Sequence, residues 1–120
     1  MNWDGRRVLV TGGASFIGSH LVDRLVARGA RVRVADNLSS GKVENLQPHI
    51  QTRRVELHRA NLLDPGEVRS AVAGMEIVFH LAADHGGRGY VDLHQVECST
   101  NLILDGLVSS TAASAGVEKV

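Results

Sequence analysis

The stretch Thr11-Gly12-Gly13-Ala14-Ser15-Phe16-Ile17-Gly18 is the part of this chain best suited to chemistry with phosphate. It follows a short apolar run and opens a helical pattern, so it forms a turn from strand to helix. Gly12 can take a tight turn, and the helix amino terminus then presents free backbone N–H groups and a positive dipole end to a pyrophosphate. Gly18, one turn in, lets helix and strand approach closely. Ser15 stands where a middle glycine gives a ligand most room; its Cβ narrows the space and its hydroxyl is placed to donate to a phosphate oxygen. Glycines at this spacing also occur in turns that bind nothing, so a second signal is needed. Asp36 supplies it, eighteen residues after Gly18 at the end of a second strand-like run. A carboxylate there accepts from ribose hydroxyls, unless it is only a turn residue or cap. It also repels a 2′-phosphate, and no Arg or Lys follows before Lys42, so NAD is favoured over NADP.

These residues need a scaffold, and the composition allows one. The chain has 120 residues, 43% hydrophobic and 22% charged, which fits one domain with a packed core. Thirteen basic residues balance thirteen acidic ones. That argues against the basic patch of a nucleic-acid or anionic-membrane binder, so phosphate must be held locally. Cys98 is the single cysteine and cannot form an internal disulfide. The amino terminus carries no apolar signal segment, and no run approaches the roughly 18 residues needed to span a bilayer. The expected location is cytoplasmic.

The pattern alternates short β-branched runs with longer helical ones, the mark of a parallel sheet with crossover helices. Strands are expected at Arg6 to Thr11, Ala30 to Asp36, Arg53 to His58 and Glu76 to Ala83. Alternating Val and Arg in the second, and a similar pattern in the third, suggest one less buried face. In the first helix Ile17, Leu21 and Leu25 recur at four-residue spacing beside Val22 and Val26, forming a stripe expected to face the sheet, and Gly29 stops it. A short helix is expected near Val43 to Leu46. Asp64-Pro65-Gly66-Glu67 is an amino-terminal cap, and Gly74 closes the helix it starts. A long helix is expected from Gln95 to Ala115, ended by Gly116. The last residues, Val117 to Val120, read as the approach to a fifth strand. In a doubly wound order of 3-2-1-4 this leaves strand four with an open edge, a place for a dimer partner or other association.

With these features in place, the chain resembles the extended short-chain dehydrogenase/reductases, the NAD-dependent epimerases and dehydratases of sugar nucleotides, over nearly its whole length. Thr11 to Leu21 is similar to that family's TGGxGFIGSHL opening, Asn61-Leu62 falls where the family has Asp-Leu beside the adenine, and His80-Leu81-Ala82-Ala83 matches its HLAA. The resemblance implies a Rossmann-type α/β domain over residues 1–120, incomplete after the fourth strand and its helix. It implies cofactor-binding roles for Gly12, Ser15, Phe16, Ile17, Gly18, Asp36, Asn37, Asn61, Leu62, Leu81, Ala82, Ala83 and Asn101. Asn61 replaces an acid, leaving its amide for adenine, and the family's Gly-Thr after the helical Asn is here Leu104-Asp105. Ala82 to Tyr90 looks most like the LAADxGGxGF loop of GDP-mannose 3,5-epimerases. Glycines there let backbone pass close to a sugar, making Gly86 and Gly87 candidate substrate-side residues, with a plain loop as the alternative.

Family members move a hydride transiently between a sugar carbon and the nicotinamide, with a Tyr-x-x-x-Lys pair relaying the proton. The one tyrosine, Tyr90, has His94 four residues on, and the lysines are Lys42 and Lys119, so no catalytic residue is assigned. The expected function is the NAD-binding portion of a nucleotide-sugar epimerase or dehydratase, not catalytic by itself; the alternative is a non-catalytic NAD-sensing or partner-binding module. His94 and Cys98 lie four apart, a spacing too common to indicate a metal without a second pair. His80 reads as a strand-end residue satisfied by backbone, His20 as a helix residue near the cofactor turn. Asp23, Arg24, Glu67 and Arg69 read as solvated helix faces.

Overall fold

The computed structural model describes residues 2–83 and 101–120. Four parallel strands, β1 (Arg7–Thr11), β2 (Arg31–Asp36), β3 (Val55–Arg59) and β4 (Ile77–His80), lie in the order β3-β2-β1-β4. Helices α1 (Phe16–Ala27), α2 (Gln47–Gln51), α3 (Pro65–Val72) and α4 (Asn101–Ser114) connect or flank them. The expected doubly wound arrangement is present. No described helix is long and apolar enough to cross a membrane.

Period-two alternation in β1 sorts the core into two layers. Val8 and Val10 point to one face, where Val22, Leu25 and Val26 of α1 meet Val32 and Val34 of β2. Leu9 points to the other face, with Val68 and Val72 of α3, Val78 of β4 and Val108 and Ala112 of α4. Both faces of β1 are buried, as its unbroken apolar run predicts.

Four expectations are corrected. The buried face of α1 carries Gly18, Ser19, Val22, Leu25 and Val26, whereas Ile17 is exposed. The helix is turned because Gly18 must sit against the turn that precedes it. Strand β3 begins at Val55, two residues late, after Arg53 adopts a left-handed φ of 60°. Strand β4 ends at His80 instead of Ala83, because Leu81 N–H is shared between the Thr11 carbonyl and hydroxyl and Ala82 N–H goes to the hydroxyl alone. The β4 edge is not open along its whole length: Lys119 bridges Ile77 in parallel, with Val78 N–H donating to Lys119 O and Glu118 N–H to Glu76 O, each at 2.8 Å. The expected short helix appears as a 3₁₀ turn, Val43–Asn45, followed by α2, which sequence reading did not resolve. The last helix is described from Asn101, so the expected start at Gln95 lies outside the described residues.

Arg33 explains why β2 is more buried than its Val–Arg alternation suggested. Its Nη1 donates to the carbonyls of Ala71 and Ala73 at 2.9 and 2.8 Å, with Ser70 O at 3.3 Å, and its Nε to Glu56 at 3.1 Å. A strand arginine thereby caps the carboxyl end of α3, where orphan carbonyls and the dipole favour a cation. Glu56 also takes a 2.6 Å hydrogen bond from His58; that bond first, then Arg33, holds its carboxyl below the usual 4.5. Arg33→Ala is expected to lower stability by about 2 kcal/mol, seen as a melting temperature roughly 8 °C lower, because several carbonyls lose a charged donor at once. Arg33→Lys should recover only part of this, since an ammonium lacks the guanidinium's fork. Thermal unfolding of the alanine variant within about 2 °C of the parent would remove the cap from the account.

At the amino ends of β1 and β4, Arg6 and Arg7 pair with Glu76, Nε to carboxylate at 2.9 and 3.2 Å, and Arg6 reaches Glu118. The Glu76 carboxyl lies below the usual 4.5, first because Arg7 N–H donates to it. These pairs tie β1, β4 and the Glu118–Lys119 segment together, far from the carboxyl ends of the strands.

Candidate functional site

The carboxyl ends of all four strands open on one cleft of about 440 Å³. It lies where strand order reverses between β1 and β4, the place where a doubly wound sheet leaves a crevice. Gly12, Ser15, Asp36, Asn37, Asn61, Leu62, Leu81, Ala82, Ala83 and Asn101 line it. These are ten of the sequence-derived positions, drawn together from four separate loops and a helix.

The glycine-rich turn forms the near wall. Gly12 has φ +70°, and a Cβ there would lie 2.9 Å from Ala82 N and 3.0 Å from its Cα. The turn thus packs directly on the segment leaving β4. A Cβ on Gly18 would overlap the Gly12 carbonyl oxygen and sit 2.8 Å from Gly13 Cα, so only glycine lets α1 start this close to β1. Ser15 is the amino-terminal cap of α1: its Oγ accepts from Gly18 N–H at 3.1 Å and donates to Gly12 O at 2.7 Å. Its hydroxyl proton is therefore committed inside the turn, whereas the sequence suggested a phosphate partner. Phe16 and Ile17 do not line the cleft with side chains, which are 76% and 71% exposed. As the first two residues of α1, their backbone N–H groups make no hydrogen bond among the described residues, and these amides are what the turn offers to an anion.

Asp36 is 6% exposed. Its Oδ2 accepts from Ala14 N–H at 3.0 Å and its Oδ1 from Leu38 N–H at 2.7 Å. Leu38 is held at φ 63°, a strained conformation that the Asp36 bond supports beside the cleft. Each carboxylate oxygen retains a lone pair, so the group is preoriented and still able to accept from a ligand. Asn37 Oδ1 takes Ser39 N–H and Asn61 Oδ1 takes Leu63 N–H, both at 3.0 Å. The Asn61 NH₂ has no acceptor among the described residues. Glu67 accepts from Asn61 N–H at 3.2 Å, and Asp23 pairs with His49 at 2.6 Å, so neither acid is merely solvated as expected. His20 is exposed and stacks edge-on with Phe16, ring centroids 4.7 Å apart.

Ser39, Ser40, Ala60, Leu63 and Leu104 also line the cleft and were not read from the sequence. The signal was positional: every loop leaving the carboxyl end of a strand borders the crevice. Gly41 and Asn45 were missed as well. Ala14 O accepts from Lys42 N–H at 3.0 Å and from Asn45 Nδ2 at 2.8 Å, while a Cβ on Gly41 would meet Asp36 Oδ2 at 2.8 Å. The loop after β2 is clasped to the glycine-rich turn through both backbone groups of Ala14. His80 differs from expectation, since side chains satisfy it: Nδ1 is 2.7 Å from Thr11 Oγ1 and Nε2 2.7 Å from Asp105 Oδ1. Gly86 and Gly87, with Tyr90, His94 and Cys98, lie outside the described residues.

The NAD dependent epimerase/dehydratase family matches residues 8–120. UDP-glucose 4-epimerase from Mycolicibacterium smegmatis is 39% identical over 116 residues, 95% of this chain and 37% of the relative. UDP-glucuronic acid decarboxylase 2 from Arabidopsis thaliana is 44% identical over 78 residues, 65% of this chain and 16% of the relative. The crystal structure of dTDP-glucose 4,6-dehydratase from Streptomyces venezuelae with NAD and TYD bound superposes with a TM-score of 0.84 at 32% identity, covering 93% of this chain and 37% of that one. The chain thus spans little more than a third of the length of the epimerase and dehydratase it matches. With a family match over residues 8–120 and a fold that superposes on that of the dehydratase, this chain belongs to the NAD dependent epimerase/dehydratase family.

Proposed function

We propose that this chain is the NAD-binding portion of a nucleotide-sugar epimerase or dehydratase. One observation carries the reading: a buried, preoriented Asp36 lines a cleft floored by Gly12 against Ala82, and beside it, next to Ser15, start the Phe16 and Ile17 amides of α1, which bond to nothing among the described residues. The donor set fits a dinucleotide. The pyrophosphate sits at the α1 amino terminus, ribose hydroxyls donate to Asp36, and Asn37 borders that ribose. Adenine lies against Leu62 and the Asn61 amide. Leu81, Ala82, Ala83 and Asn101 border the nicotinamide side. NAD, when bound, supplies a reversible hydride acceptor for a sugar carbon; the residues described here bind and orient it and exclude water from its ring.

The substrate is proposed as a class, a nucleotide sugar, with Gly86 and Gly87 on its side. The likeness of Ala82 to Tyr90 to GDP-mannose 3,5-epimerases supports one member of that class, whereas the relatives named above carry UDP- and dTDP-sugar names. No residue of this chain is assigned to proton transfer. The balanced charge and single cysteine support a cytoplasmic setting. Calorimetric titration of the purified chain with NAD and NADP is the test. NAD should bind at least about tenfold more tightly than NADP, the worth of one unfavourable carboxylate–phosphate approach. A folded chain that takes up neither would refute the reading.

A further inference from the structure

We infer that Asp105 and His80 are positioning residues for the cleft wall at Leu81 and Ala82, acting through the hydroxyl of Thr11. Thr11 is fully buried. Its Oγ1 accepts from Ala82 N–H at 3.1 Å and from Leu81 N–H at 3.0 Å, the latter N–H shared with the Thr11 carbonyl at 3.2 Å, and lies 2.7 Å from His80 Nδ1. A hydroxyl has two lone pairs and one proton. Two backbone donors occupy the lone pairs, so the proton goes to Nδ1, which must be bare. The neutral imidazole then carries its proton on Nε2, 2.7 Å from Asp105 Oδ1.

The opposite tautomer fails at both nitrogens. A proton on Nδ1 would give Thr11 Oγ1 a third donor and leave its own proton without an acceptor, while a bare Nε2 would face a carboxylate oxygen. Asp105 therefore selects the tautomer that keeps Thr11 available to both amides. This matters to the cleft because Leu81 and Ala82 are the atoms against which Gly12 is packed. Asp105 also sits one turn beyond Asn101, which lines the cleft, so the relay docks α4 at the same place. It is where the chain departs from the Gly-Thr of the family pattern.

The tautomer and the wall can be read in the free chain. Long-range ¹H–¹⁵N correlation spectra should show His80 protonated on Nε2 alone. In Asp105→Ala, hydrogen exchange at Ala82 should quicken at least about tenfold relative to the β1 amides, and at Leu81 by less because the Thr11 carbonyl still accepts from it, whereas Asp105→Asn, whose amide oxygen still accepts from Nε2–H, should stay within about twofold of the parent. A parent His80 protonated on Nδ1, or an alanine variant with unchanged exchange at both amides, would overturn the inference. Its bearing on the cofactor rests on the NAD reading: Asp105→Ala should weaken NAD about fivefold and Asp105→Asn about twofold at most. A chain with the expected tautomer and exchange that binds no NAD would refute the cofactor reading and leave the positioning role standing.

Discussion

Gly12→Ala is expected to abolish NAD binding by the folded chain, weakening it by about a hundredfold or more. Two separate effects combine at this position. The left-handed φ of +70° costs a residue with a Cβ about 1 kcal/mol, and the Cβ itself would meet the backbone of Ala82 at 2.9 and 3.0 Å and the Leu81 carbonyl carbon at 3.1 Å. Backbone cannot rotate away as a side-chain tip can, so Leu81 and Ala82 must shift, and with them the bonds to Thr11. Two other glycines separate the effects. Gly74 has φ +77° with nothing within 4 Å, so Gly74→Ala should cost about 1 kcal/mol of stability and leave NAD affinity unchanged. Gly18 shows no left-handed φ, yet its Cβ would overlap the Gly12 carbonyl, so Gly18→Ala should lower both stability and affinity by pushing α1 off the turn. Thermal unfolding alongside calorimetry measures all three. Parent-like NAD affinity in a folded Gly12→Ala chain would remove the turn from the site.

These glycines were legible in the sequence because their role is local. A strand, a tight turn and a helix start follow one another within a dozen residues, and each leaves its own mark in residue type and spacing. Strand order was legible for a similar reason, since βαβ units with right-handed crossovers leave few ways to arrange four apolar runs. The parts that escaped depend on residues far apart in the chain. Thr11, His80 and Asp105 meet only in the folded molecule, and no periodicity marks them. Arg33 looked like the outward residue of an alternating strand, and what buries it is the carboxyl end of α3, some forty residues later. In α1 the expected stripe holds at Leu21, Val22, Leu25 and Val26, and Gly18 lies against the strand as read; only Ile17 was misplaced, because its hydrophobicity suggested cover. Steric need decided otherwise: a glycine pressed against backbone fixes the helix rotation more firmly than one isoleucine seeking cover. Ser39 and Ser40 carry no distinctive chemistry, and only their place after a strand's carboxyl end brings them to the cleft.

Asp36→Asn is expected to weaken NAD binding by about thirtyfold and to reduce the preference over NADP to about threefold or less. The substitution keeps size and polarity, so the effect isolates charge and acceptor count. Both carboxylate oxygens accept backbone N–H groups, from Ala14 at 3.0 Å and Leu38 at 2.7 Å. An asparagine has one acceptor oxygen; whichever way its amide turns, its NH₂ faces one of those donors. Ala14 is fully buried, so leaving its N–H without an acceptor costs about 1–3 kcal/mol. The Ala14 N–H belongs to the glycine-rich turn, while Lys42 and Asn45 hold the Ala14 carbonyl. Loss at Asp36 should therefore spread from the ribose side of the cleft to the phosphate side, lowering the melting temperature as well as the affinity. Asp36→Ala should lose both acceptors, fall further in stability and show no better NADP binding than the asparagine variant, because removing the repulsion does not create a cation for the 2′-phosphate. Parallel titrations with both dinucleotides, each with an unfolding curve, separate these effects. If the asparagine variant kept the parent's NAD affinity and its discrimination, Asp36 would be a structural cap of the turn and the ribose contact would have to be sought at Asn37 or Ser39.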